Sequence, residues 1–286
     1  MPKANVGSRW LAVAGLSALL SIGIGAPSGE GQEGTPPNYE VLDVESVGSI
    51  SGTVVWSGPI PPIPRLPITK DTKVCDPGGG KSRDLQRLVI DSDGGVANTV
   101  VYLKDVARGK AWDLPRAEQI LDQRSCTYVP HILLVPVSGE MQIKSSDPVL
   151  HTVHMMGAAS YNLPFPFQDQ FINRTMHITG IVDMKCNAGH VWMNAEALVV
   201  PHPYYAITDT HGNFTLTKVP PGAYQVQAWH EGWKIVADET VLDVGAQVRV
   251  NRPIYSQPRI WQKQAIVHPE HNTTVQFQLS EQYSMN

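Results

Sequence analysis

Helical periodicity is nearly absent from this chain, and 23 prolines among 286 residues argue against long helices. Lysine and arginine number 22 against 26 acidic residues and form no basic block. A nucleic-acid partner is therefore not expected, because affinity for phosphates needs clustered positive charge. There is no Gly-x-Ser-x-Gly elbow, phosphate loop, His-Glu-x-x-His or Cys-x-x-Cys-His run. The chain thus lacks the marks of a serine hydrolase, nucleotide enzyme, zinc protease or c-type haem protein, and no enzyme is expected. After residue 26 no apolar stretch approaches the length of a spanning helix, roughly twenty residues.

What is present begins with an export signal over residues 1–26: Lys3 and Arg9, an apolar run from Trp10 to Ile24, then small residues at Gly23, Gly25 and Ala26. An uncleaved N-terminal anchor is the alternative. Cleavage would remove two positive charges and move the formal charge from −4 to −6. Residues 27–46, rich in Gly, Pro and acid, read as a flexible linker. The remainder has room for two or three domains, without a membrane span, in the periplasm or outer cell envelope.

The body of the chain is punctuated into short strands. Examples are Ile50–Trp56, Val96–Leu103, two strands joined at Ser138-Gly139, Val149–His154, Ile178–Lys185 and Ala195–Val200. A short helical turn is expected near Leu114–Gln119, and residues 157–176 read as irregular. From Pro201 onward, Tyr204–Thr208 and Phe214–Thr217 flank the turn Asp209–Asn213 as a hairpin. Val241–Val244, Gln247–Val250 and two edge strands in the tail complete the pattern. Turn signals at intervals of about ten residues point to an all-β sandwich fold.

One constellation carries chemistry. Cys186, His190 and Met193 lie within eight residues, and His151 precedes them on a separate strand. A thiolate, two imidazoles and a thioether form the mixed nitrogen and sulfur set that suits a copper electron-transfer centre. Cysteine parity supports it: with three cysteines, two can pair in an oxidising compartment, and Cys186 is the natural unpaired one if a metal holds its thiolate. Cys75 and Cys126 would then form a disulfide; three buried free thiols are the alternative. A core histidine at position 151 and a core filler at position 193 are the bland readings of those two residues.

Strand parity places His154 on the face opposite His151. It could join His131 or His230 in a second metal site, or these could be buried, hydrogen-bonded imidazoles. Position 182, four residues before Cys186, is a valine and not a second cysteine, which disfavours a site for two copper ions. Trp192 reads as packing beside the ligand loop.

The motifs resemble the cupredoxins, the plastocyanin and azurin superfamily. They are more closely similar to exported bacterial methylamine-utilisation-like proteins that join a cupredoxin-like part to a carboxypeptidase-regulatory-like sandwich. The segments that carry the likeness are Gly48–Val54, Lys70–Cys75, Cys126–His131, Ser146–His154, the Cys186 loop, His202–Asp209 and Trp229-His230-Glu231. The resemblance runs from about residue 48 to 235 and implies His151, Cys186, His190 and Met193 as metal ligands. It also implies a cupredoxin-like Greek-key sandwich followed by a smaller transthyretin-like or carboxypeptidase-regulatory-like one. Two departures stand out: Thr152 replaces the usual Asn after the first His, and the Cys-to-His spacing has one extra residue.

The expected organisation is an N-terminal β segment (47–112) packing with the metal-binding part, a cupredoxin-like domain (113–200), and a second sandwich with the tail (201–286). The expected function is an exported mononuclear copper protein passing single electrons between redox partners, a cytochrome or dehydrogenase, with the hydrophobic edge around His190 as the electron's exit. The alternatives are a non-catalytic β-sandwich module for envelope assembly and a copper-delivery protein.

Overall fold

The computed structural model describes residues 39–115 and 119–281. The expected export signal, most of the expected linker, and part of the expected helical turn at Leu114–Gln119 lie outside the described residues. The chain is all-β. Its one α-helical turn among them is Thr72–Cys75, and no described helix is long and apolar enough to cross a membrane.

The first sandwich packs a five-stranded sheet on a four-stranded one. The five strands run in the order Tyr161–Phe165, His151–Gly157, Gly180–Lys185, Asn194–Val200 and Ile132–Pro136; the four in the order Phe171–Thr175, Glu140–Ser145, Ile120–Gln123 and Tyr128–Val129. Residues alternate in direction along each strand, so Met141 and Ile143 reach the core while Glu140 stays exposed. Tyr161–Phe165 and Phe171–Thr175 correct the expectation of an irregular stretch over 157–176. Their Pro and Asn residues obscured the alternation, and both strands sit at sheet edges, where proline is tolerated.

The second sandwich assembles a four-stranded sheet (Tyr205–Ile207, Val100–Leu103, Gly222–His230, Arg259–Val267) against a three-stranded one (Asn213–Val219, Gly48–Trp56, Asn272–Leu279). Two expectations are corrected here. Segment 47–112 is expected to pack with the metal-binding part, but Gly48–Trp56 and Val100–Leu103 are inner strands of the second sandwich, and Ile50, Val54, Val101 and Leu103 fill its core. Only the stretch containing Ile68, Cys75 and Leu85 packs into the first core. Sequence neighbours also do not pair across the Asp209–Asn213 turn, because Tyr205–Ile207 and Asn213–Val219 belong to opposite sheets.

A third apolar cluster joins the two sandwiches. Ile132, Leu134, Leu198 and Val200 on the outer face of the five-stranded sheet meet Val100 and Trp229 of the second. Asn194–Val200 is consequently buried on both faces, with Ala195, Ala197 and Val199 in the first core. A hairpin of Ile235–Asp243 and Val248–Tyr255 leaves the second sandwich and bonds to the 186–193 loop, where the Val244 N–H donates to the Asn187 carbonyl at 2.8 Å.

Candidate metal centre

The strand Gly180–Lys185 ends one residue before Cys186, and Asn194–Val200 begins one residue after Met193. These paired strands hold the loop between them at both ends. Within it the Met193 N–H donates to the His190 carbonyl at 2.9 Å, closing a tight turn, and the Cys186 N–H reaches the Met193 carbonyl at 3.3 Å. Gly189, immediately before this turn, takes a left-handed conformation, with φ +80°.

His151, Cys186 and His190 are brought together: one ligand atom of each lies within 4.8 Å of the others, and all three residues are buried. The two Nδ1 atoms are 3.2 Å apart, and Cys186 Sγ is 3.7 Å from His190 Nδ1. Met193 is buried in the same apolar cluster.

The outer nitrogens decide what this arrangement can do. His151 Nε2 is 2.9 Å from Asp147 Oδ2, and His190 Nε2 is 2.9 Å from Asp71 Oδ2. A carboxylate only accepts, so each Nε2 carries a proton, and a metal ion that displaces any proton on Nδ1 finds that lone pair turned inward. Two inward lone pairs beside a sulfur make a donor set that suits a soft cation. Burial alone would raise the Cys186 thiol, but hydrogen bonds from His151 and His190 and their charge hold it at about 5. Burial would lower His151, yet hydrogen bonds to Asp147 and Cys186 outweigh it and raise it to about 9. Asp147 is lowered: its burial acts upward, but the bonds from His151 and from the Cys126 and Ser125 N–H groups prevail.

The Thr152 hydroxyl accepts the Asn187 N–H at 2.6 Å and stands 3.9 Å from Cys186 Sγ. Trp192 packs edge-on against His190 and donates to the Cys126 carbonyl at 3.0 Å. Cys126 is joined to Cys75, and Cys186 is the free cysteine.

His190 does not form an exposed apolar edge, contrary to expectation. It is 0 % exposed, because Asp71 reaches it from a distant segment. Lys70 pairs with Asp243 at 2.6 Å beside it. Sequence reasoning missed both carboxylates. Asp147 stands four residues before His151, a spacing that could have found it; Asp71 lies 119 residues from His190 and carries no such signal.

The other histidines gather no second set. Among the described residues, no three-donor group includes His131, His154 or His230. His131 instead pairs with Glu231, which also holds Arg87 at 2.8 Å. The His230 Nδ1–H donates to the Glu231 carbonyl at 2.8 Å.

Residues 204–253 match a family model described as the BOS complex subunit NOMO1-like second beta sandwich domain. No curated protein matches the chain. Among solved structures, an oxidised amicyanin mutant is 21% identical, covering 28% of this chain and 80% of its own, with a TM-score of 0.26. A reduced amicyanin mutant is 18% identical over 35% of this chain and 98% of its own, at TM-score 0.27. The copper-containing nitrite reductase of Thermus scotoductus SA-01 is 17% identical over 32% of this chain and 24% of its own, also at 0.27. Matches at this level leave the reading of the site to its own geometry.

Proposed function

We propose that the chain is an exported, cupredoxin-like mononuclear copper protein, a single-electron carrier of the cell envelope and not an enzyme. The observation that carries this reading is the convergence of Cys186 Sγ with the Nδ1 atoms of His151 and His190, each imidazole tied behind to a carboxylate. These three residues would hold the ion, with Met193 as a weak fourth ligand. Copper bound there supplies one-electron chemistry between its monovalent and divalent states.

The chain's own residues do the rest. Asp147 and Asp71 each hold an imidazole proton at Nε2 and turn Nδ1 towards the site. Thr152 and Ala188 direct a hydroxyl and an N–H towards Cys186 Sγ, at 3.9 and 3.4 Å. Burial of the donors keeps water from them. A site preformed by the sandwich changes little between oxidation states, which suits rapid electron exchange with a protein redox partner. The sealed position of His190 favours retention over delivery of the ion.

The test is to add copper(II) to the metal-free mature protein and record the visible spectrum. An intense thiolate-to-copper band that Cys186→Ser abolishes is expected; a colourless protein would overturn the reading. The match of residues 204–253 to a domain of a complex subunit favours a second reading, a β-sandwich assembly module. A protein that stays metal-free yet retains an envelope partner would support that one.

A further inference from the structure

The Cys75–Cys126 disulfide does more than close a loop. One ligand atom of each of Cys75, Cys126 and His190 lies within 4.8 Å of the others, and all three residues are 0 % exposed. Cys126 Sγ also lies within 4.8 Å of ligand atoms of His151 and Asp147. The cystine thus contacts the two-imidazole cluster that Cys186 also joins.

We propose that Cys75, Cys126 and His190 form a second soft-donor site, specific for one copper(I) ion, which becomes available when a dithiol reduces the disulfide. Two thiolates and an imidazole favour a monovalent soft ion over harder divalent ones. In the reduction a dithiol gives two electrons and two protons: the S–S bond breaks, two S–H bonds form, and the dithiol leaves as its own disulfide. Binding copper(I) then displaces both thiol protons.

The sulfurs have reason to stay converged without their covalent bond. The Cys75 N–H donates to the Asp71 carbonyl at 2.9 Å, and the Cys75 carbonyl accepts from Arg83. The Cys126 N–H donates to Asp147 at 2.7 Å, and its carbonyl accepts the Trp192 indole N–H. Exposed residues 71–73 and 77–81 flank Cys75, so a local opening of this turn admits a small dithiol. His190 belongs to both donor sets, which places an ion on the cysteine pair one ligand exchange from Cys186. The site itself does not require the Cys186 centre to be occupied.

The experiment uses the mature Cys186→Ser protein, in which the first centre is disabled. It is treated with dithiothreitol, freed of the reagent under argon, and titrated with copper(I) in competition with bathocuproine disulfonate. The reduced form should retain one equivalent and the oxidised form none, with X-ray absorption showing two sulfur ligands and one nitrogen. His190→Phe in the same background should weaken retention about tenfold or more. Equal retention by the reduced and oxidised forms would overturn the site, as would indifference to His190→Phe or equal affinity in the urea-unfolded reduced chain. If Cys186→Ser folds poorly, the reduced unsubstituted protein should hold its copper(I) at least about tenfold more tightly than the oxidised form, with X-ray absorption showing an added sulfur ligand. Equal affinity and an unchanged sulfur count there overturn the proposal. Because the main test omits Cys186, its result is independent of whether the first centre carries electrons.

Discussion

Asp71 and Asp147 each accept the Nε2–H of one imidazole. Asp71→Ala leaves His190 free to choose its tautomer and should lower copper affinity about 10- to 100-fold. Asp71→Asn still offers a carbonyl to the Nε2–H and should lose less; competition titration against a chromophoric chelator separates the two. A second residue-scale effect concerns Glu196, which burial, and then the Glu231 charge, raises from its usual 4.5 to about 8 against the pull of Arg87. Arg87, Glu231, Asp183 and Lys185 are the charged groups that act on it. Between those values the folded chain holds a proton that the unfolded chain releases. The associated stability is complete below about pH 4.5 and is lost as pH rises through about 8, on the order of a few kcal/mol. Glu196→Gln should therefore flatten the fall in melting temperature between pH 6 and pH 9, while its amide carbonyl still faces Arg87.

At the scale of elements, the 186–193 loop is held by more than its own strands. Asp243 and Val244 of the hairpin and Lys70 of the 70–75 segment pack on it. Gly189 marks the tightest point: a Cβ there would stand 2.3 Å from Asp243 Oδ2, on a backbone with φ +80°. Gly189→Ala should cost about 2 kcal/mol or more in urea unfolding and broaden the charge-transfer band, because backbone strain and displacement of Asp243 act together. The ligand strands themselves were legible in sequence. Val149–His154 and Ala195–Val200 show the apolar content of strands, and they are observed as His151–Gly157 and Asn194–Val200. The strands between residues 157 and 176 were not legible, since edge strands carry prolines and polar residues that resemble loop composition.

For the whole molecule, the interleaving of segments matters most. Gly48–Trp56 is the middle strand of its sheet, paired to Asn213–Val219 on one side and Asn272–Leu279 on the other. A fragment of residues 201–286 lacks this strand and Val100–Leu103, so it should show no cooperative melt and no dispersed amide spectrum. Replacing both Cys75 and Cys126 by alanine removes a link between residues 51 apart. It should lower stability by about 4 kcal/mol on the loop-closure model, measured by chemical denaturation of the metal-free chain.

Sequence alone pointed to the strand-rich class, to His151, Cys186, His190 and Met193 as candidate donors, and by cysteine parity to the pairing of Cys75 with Cys126. These are local or countable properties: alternation, spacing and number. Only the tertiary structure decided which sandwich receives Gly48–Trp56, that His190 is sealed by Asp71, and that the disulfide lies against the imidazoles. Each of those depends on contacts between residues far apart in the chain, where the free energy comes from shared burial and mutual hydrogen-bond satisfaction, and neither leaves a periodic trace in the sequence.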